Sequence, residues 1–310
     1  MILLGTSGYS YPDWYGVFYP PGLERAKQLD YYVRQFKTVE VNSTYYRIPP
    51  PSTFAAMERK TPADFEFVVK ANSEMTHKLT HDPKVYEAFQ AAMAPLRAAR
   101  KLSGVLAQFP QSFHRSDDNE RFLTEMQERL EGSPLFVEFR HNSWMHEDVF
   151  QWMERASLGY VSVDEPSLPG LLPPVARATG SIAYVRFHGR NAGSWYSRDE
   201  GAADRAATDT RASAGKAPVT KATATKATAT KPTATKPRDR DRPLLRYDYL
   251  YSEAELKEWA TKIRELNQKT QKTFVFFNNC HAGQAATGAK LMRKLLGMPE
   301  PSLSEQTGLL

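Results

Sequence analysis

Eight short stretches of the chain alternate apolar with polar residues, and most of them end in charge. The sharpest is 184–190. Counting by twos, Tyr184, Arg186, His188 and Arg190 share one face, while Val185, Phe187 and Gly189 share the other. Two arginines and a histidine on one strand face cost free energy if buried without partners. That face must therefore be wet, or meet carboxylates or a ligand. The same pattern recurs at 3–6, 38–42, 65–71, 104–109, 135–140, 160–164 and 274–279. Helical periodicity fills most of the gaps, at 23–36, 52–60, 82–101, 116–130, 146–157, 252–268 and 283–296. Ser52 and Asp82 are candidate N-caps, Ser252 with Glu255 forms a capping box, and Gly297 can end the last helix. The crossover 166–179 is rich in proline and shows little helical signal.

Strands alternating with helices predict an α/β fold, and the count of eight predicts a TIM-like (β/α)₈ barrel. An open, doubly wound sheet is the competing architecture. Eight strands and inward-facing polar tips favour the barrel. The stretch Gly5-Thr-Ser-Gly8 lacks the glycine pattern of a dinucleotide site, which argues against a Rossmann cofactor.

Composition changes this picture in one place. The chain has 310 residues and a net charge of +6. Residues 199–243 hold ten Lys/Arg and six Asp/Glu, leaving +2 for the other 265 residues. Five of the lysines recur every five residues (Lys216 to Lys236), and the segment lacks Leu, Ile, Phe, Tyr and Trp. Such a segment cannot bury enough apolar surface to offset its chain entropy, so a disordered insertion after strand 7 is expected. The expected organisation is one barrel domain over 1–297 containing that insertion, with a frayed tail at 298–310. The insertion is either a tolerated expansion of a surface loop or a tether for nucleic acid. One cysteine, no signal-peptide pattern and no apolar run near 20 residues point to a cytoplasmic, non-membrane protein. The oligomeric state stays open.

In a barrel of this type the site lies at the C-terminal ends of the strands. The residues there are Glu40 and Asn42, Lys70, Gln108, Glu138 and Arg140, Asp164, Arg186 and His188, and Asn278. Five of the eight strands turn from apolar to charged at this depth and two more end in an amide, which indicates a functional pocket. The plainer alternative is a plug of ion pairs, such as Glu138 with Arg186. Glu138 and His188 are the candidate proton-transfer pair, with Glu40 and Asp164 as further acids. Lys70, Arg140, Arg186 and Arg190 favour a small anionic substrate, phosphate-bearing ones included, which Asn42, Gln108, Asn278 and Asn279 would orient. A divalent metal on Glu40, Glu138, Asp164 and His188 is a further option. No close-spaced ligand motif supports it and four cations oppose it, so no metal ligand or cofactor is assigned. His77 and His81 could share a ligand or be solvated loop residues. Trp144 is expected to pack. Adjacent Cys280 and His281 are expected to point apart rather than act together.

Several of these segments together resemble the domain-of-unknown-function 72 family, also called YecE-like. The motifs are Gly5-Thr-Ser-Gly-Tyr-Ser-Tyr-Pro-Asp-Trp14, Gly16-Val-Phe-Tyr-Pro20, Thr38-Val-Glu-Val-Asn-Ser-Thr-Tyr-Tyr-Arg47, Gln108-Phe-Pro110, Glu138-Phe-Arg-His141 with Trp144, Tyr184-Val-Arg-Phe-His-Gly-Arg190 and Phe277-Asn-Asn279. The resemblance implies a TIM-like barrel and supplies no reaction. It marks Glu40, Asn42, Glu138, Arg140, Arg186, His188, Arg190 and Asn278. The lysine-rich insertion departs from the family pattern, as does Gly288, where members often have Asn. Three functions stay open: a hydrolase or lyase using Glu/His acid–base chemistry, a non-catalytic nucleic-acid or anion-binding protein, and a metal-dependent phosphoesterase.

Overall fold

The computed structural model describes residues 1–130, 132–195 and 246–301. The eight strands are β1 (Ile2–Thr6), β2 (Thr38–Val41), β3 (Glu66–Lys70), β4 (Leu102–Gln108), β5 (Leu135–Glu138), β6 (Leu158–Asp164), β7 (Ile182–Phe187) and β8 (Lys272–Phe277). All pair in parallel, each with its sequence neighbour, and β8 pairs with β1. Only β1 and β2 lack a continuous ladder. A single parallel bridge, Ser7 to Glu40, and the Gly8 amide on the Glu40 carbonyl at 2.7 Å join them. The result is a nearly closed TIM-like barrel. The Tyr32 hydroxyl reinforces the joint: it accepts from the Thr6 amide at 2.9 Å and donates to the Thr38 carbonyl at 3.0 Å.

The helices are α1 (Gln28–Tyr32), α2 (Pro51–Arg59), α3 (Ser73–Thr76), α4 (Pro83–Ala98), α5 (Asp117–Arg129), α6 (Glu147–Arg155), α7 (Glu253–Lys269) and α8 (Gln284–Leu296). Asp82, Ser116 and Ser252 each accept a backbone amide at a helix start, and Ser252 with Glu255 forms the full capping box. Gly297 ends α8 in the left-handed conformation. No helix lies between β6 and β7, as the proline-rich crossover predicts.

Three local expectations change. The helix expected over 23–36 shrinks to α1, preceded by a 3₁₀ turn at Arg25–Lys27. Helix α2 starts at Pro51, not after a Ser52 cap, because proline already has the first-turn backbone angle and needs no amide partner. The short α3, capped by Asn72, carried no periodic signal. The insertion at 199–243 lies outside the described residues, as does most of the tail. Met298, at the tail's start, packs against the core.

Strand register fixes which side chains fill the barrel. Phe136, Tyr184, Phe274 and Phe276 stack at its centre, with ring centroids 4.9–6.4 Å apart. The outward faces pack on the helices, for example Phe187 against Trp259 of α7 and Tyr160 against Phe150 of α6. Gly288 of α8 has a packing reason. A Cβ there would sit 2.7 Å from the Phe277 ring, so glycine lets α8 approach β8. The aromatic loop after β1 caps the core: Trp14 and Tyr19 are buried, and Trp14 Nε1 donates to the Cys280 carbonyl at 2.7 Å. Among the described residues no helix is long and apolar enough to cross a membrane.

Candidate functional site

The inward positions of the strands place a two-tier polar cluster above the aromatic centre. Arg186, fully buried, forms the lower tier. Its guanidinium reaches Glu40 Oε1 at 2.6 Å and Glu138 Oε2 at 2.5 Å. The Tyr184 hydroxyl donates to the second Glu40 oxygen at 2.6 Å. A third contact runs from Arg186 to Ser7 Oγ at 3.4 Å. The expected Glu138–Arg186 ion pair is therefore present, and Glu40 extends it across the barrel. Two carboxylates and one guanidinium without solvent are tolerated because each oxygen meets a donor.

The upper tier surrounds Arg140 and His188. Arg140 donates to Glu138 Oε1 at 2.8 Å and to Glu165 Oε2 at 3.3 Å. Asn278 Nδ2 lies 3.0 Å from His188 Nδ1, and His188 Nε2 lies 3.0 Å from Glu138 Oε1, 3.3 Å from Arg140 and 3.5 Å from Arg186. Burial and the neighbouring Arg140 push the His188 value well below the usual histidine range, although Glu138 opposes them. The Glu138 contact is thus made by a neutral imidazole and is not an ion pair. Burial alone would raise the Glu138 carboxyl. Arg186, His188 and Arg140 outweigh it and hold the group well below the carboxylate range. Glu138 and His188 are therefore in contact, but neither titrates near neutral pH.

Two other groups do. Burial raises the Glu165 carboxyl to about 7, against the attraction of Arg140 and a hydrogen bond from the Leu172 amide. Burial and the nearby Arg186 charge lower the Lys70 ammonium to about 7, partly offset by Glu40 and Glu138. Lys70 Nζ donates to Gln108 Oε1 at 2.9 Å and lies 4.7 Å from the centre of the Tyr45 ring. Trp195 and Tyr247 line the β7 side of the mouth: each ring centroid is 6.4 Å from that of His188. Arg246 stacks on Trp195 at 4.1 Å, and its charge acts on Glu165. Both amide atoms of Asn42 are buried without a partner.

The sequence-predicted residues thus divide. Glu40, Lys70, Gln108, Glu138, Arg140, Arg186, His188 and Asn278 belong to one connected cluster. Asp164 and Arg190 do not join it. The β6–β7 register aligns Val161 with Tyr184 and Val163 with Arg186, so Asp164 faces outward. It accepts from Tyr251 at 2.7 Å, from Trp259 Nε1 at 2.5 Å and from Arg190 at 2.6 Å. Arg190 leaves the face of His188 because Gly189, at φ +89, turns the chain, and Arg190 then pairs with Asp164. Asn279 also turns aside and donates to the Tyr249 carbonyl at 2.8 Å.

Glu165 was missed by sequence reading, although continuing the period past Val161 and Val163 would have found it. Trp195, Arg246 and Tyr247 sit on loops that periodicity does not reach. Asp164 cannot join Glu40, Glu138 and His188 in a metal site. Among the described residues no group of three or more His, Cys, Asp or Glu could hold a metal ion. Cys280 and His281 diverge as expected, Cys280 toward the Ser7 carbonyl and His281 toward Asp13 and Asp248. His77 packs on Tyr45 while His81 bonds Glu125, so they share no site. Trp144 is buried and stacks on Phe139.

The chain is similar along nearly its whole length to proteins of this architecture. A curated relative, the UPF0759 protein YunF of Bacillus subtilis, is 29% identical over 98% of both chains. The UPF0759 protein YecE of Escherichia coli is 30% identical over 115 residues, 36% of this chain and 39% of YecE. A crystal structure of a DUF72 family protein from Thermotoga maritima superposes with a TM-score of 0.75 at 36% identity, covering 96% of this chain and 99% of that one. A second, from Enterococcus faecalis, gives 0.75 at 25% identity over 96% of both chains. The family described as "Protein of unknown function DUF72" matches residues 3–234 and 209–308, and the chain belongs to that family.

Proposed function

We propose that the chain is an enzyme, a hydrolase or lyase, that binds a small anion at the C-terminal mouth and moves a proton with Glu165. The observation that carries this reading is a buried carboxyl poised at about 7 beside Arg140 and Arg246. A general acid or base works best when its value lies near the working pH. Glu138 and His188 then serve as a fixed frame: Glu138 stays ionised and holds Arg140, while His188 stays neutral and links Glu138 to Asn278. Lys70, Gln108, Arg140 and Asn42 are the binding groups. The one cysteine is buried and has no second thiol in the chain to pair with, in keeping with a cytoplasmic setting.

An anion settling beside Arg140 and Arg246 competes with the Glu165 carboxylate and raises its value. Binding should therefore take up a proton, about half a proton per anion at pH 7, where a carboxyl titrating at about 7 is half charged. Thermal shifts against phosphorylated metabolites, carboxylates and oligonucleotides identify a ligand. Calorimetry in buffers of different ionisation enthalpy then counts the protons. A saturable small anion with proton uptake, abolished by Glu165→Gln, is the expected result. A shift from oligonucleotides alone, weakened by salt, would replace this reading with nucleic-acid binding.

A further inference from the structure

We infer that the cavity between the loop after β1, α1 and α2 is a binding site for a small anionic molecule with a planar, amide-like edge, the chemistry of a nucleoside monophosphate. The inference goes beyond the proposed proton transfer. Glu165, Arg140, Lys70 and Gln108 do not line this cavity, and Asn42 alone is common to both sites.

The cavity holds about 460 Å³, within the roughly 300–1,000 Å³ of small-molecule sites. It lies outside the barrel wall. Glu40 faces inward to Arg186, so the next residue, Val41, takes the outer face, and it lines the cavity. Leu29 of α1 and Met57 of α2 complete a buried, apolar floor. Tyr9 also lines it, half-buried, and an aromatic ring is a stacking surface for a base. Arg25 and Lys60, both exposed, bring two positive charges to it. Lys60 is tied to the Ala26 carbonyl at 2.5 Å and to Asp30 at 3.5 Å, so Arg25 is the main cation for a ligand.

Asn42 is the observation that points to a ligand. As β2 gives way to the 3₁₀ turn Ser43–Tyr45, Asn42 leaves the extended conformation, at φ −98 and ψ −16, and lines the cavity. Only 6% of it is exposed, and neither its amide nitrogen nor its amide oxygen has a partner among the described residues. A buried donor and acceptor without partners cost free energy that an apolar side chain of like size would not. A ligand that supplies an acceptor and a donor side by side removes that cost. Base edges carry such a pair in one plane, and a carboxamide matches them, as asparagine does with adenine. With the base edge on Asn42 and the base over the apolar floor, the phosphate falls to Arg25.

The test is calorimetric titration of the full chain with AMP, GMP, UMP and CMP, each beside its nucleoside, and with ribose 5-phosphate. At least one nucleotide is expected to saturate a single site. It should bind about tenfold or more tightly than its nucleoside or ribose 5-phosphate, since each of these lacks one of the two anchors. Asn42→Leu should weaken that nucleotide by about tenfold or more while melting no lower than the unmodified chain. Arg25→Ser should weaken it and flatten its salt dependence. Glu165→Gln should leave nucleotide affinity unchanged. If Asn42→Leu does not fold, photolabelling of the unmodified chain with an azido analogue of the tightest nucleotide decides. The label should fall on the segments carrying Tyr9, Leu29 or Met57. Label on the segments carrying Arg140, Glu165 or His188 would place the nucleotide in the mouth and overturn the inference. The absence of saturable binding by every nucleotide would overturn it too, as would an Asn42→Leu protein that binds as tightly as the unmodified chain or melts well below it. Nucleotide affinity is read at Asn42 and proton uptake at Glu165, so the two proposals fail separately.

Discussion

Asp164 and Glu165 are adjacent carboxylates on opposite sides of the barrel wall. Asp164 faces the seam between β6 and α7, where Arg190, Tyr251 and Trp259 all donate to it. Glu165 faces the mouth, where it meets the Leu172 amide and one loose contact, 3.3 Å, from Arg140. Burial is nearly equal, with 1% and 7% of each residue exposed. The difference is the supply of donors. A carboxylate held by three donor residues serves as a structural anchor, whereas a buried one with few donors has its value pushed up toward neutrality and can exchange a proton.

The largest expected effect falls on the anchor. Asp164→Ala strands the Arg190 guanidinium and two buried donors, and should cost about 3–5 kcal/mol in urea unfolding. A loss below 1 kcal/mol would show that the seam does not depend on this carboxylate.

The second prediction concerns pH. The Glu165 value is raised in the fold, from 4.5 to about 7. A raised group stabilises the fold fully below its unfolded value and loses that contribution as pH rises through the folded one. Between pH 4.5 and 7 the protein should therefore lose about 3 kcal/mol relative to Glu165→Gln. Paired unfolding curves at pH 5 and pH 7.5 measure this directly. A constant difference between the two proteins would mean that Glu165 ionises normally, and the contrast with Asp164 would collapse.

The smallest effect lies at the start of α7. Ser252 and Glu255 cap the helix that brings Trp259 to Asp164. Ser252→Ala should cost about 1 kcal/mol and leave the Glu165 titration unchanged. A change in that titration would show that the seam and the mouth communicate.

Much of the barrel was legible because inward and outward residues alternate with period two. The faces of β2, β5 and β7 follow from that count alone, and so does the cluster of Glu40, Glu138, Arg186 and His188. Legibility ended where strands ended. Asp164 reads as an inward tip because it closes an apolar run. Neighbouring Glu165, one step beyond the strand, inherits the inward position of Val161 and Val163. A count by twos puts Arg190 with His188 because it does not register the turn at Gly189. Two of the donors to Asp164, Tyr251 and Trp259, lie about ninety residues downstream, and no local pattern announces such contacts. The shifts of Lys70 and Glu165 were equally hidden, since they depend first on burial and then on charges brought in from distant segments.

The joint between β1 and β2 gives the central arginine a mechanical meaning. A hoop of eight staves is only as tight as its last fastening, and here the last two staves meet at Ser7 and Glu40. Both residues are also bonded by Arg186, which reaches them from β7 across the barrel. The side chain that sets the charge of the mouth is thus a tie-rod for the weakest seam of the wall. Any change that retunes the chemistry at that point also loosens the cylinder, which ties the freedom of this site to diversify to the integrity of the barrel itself.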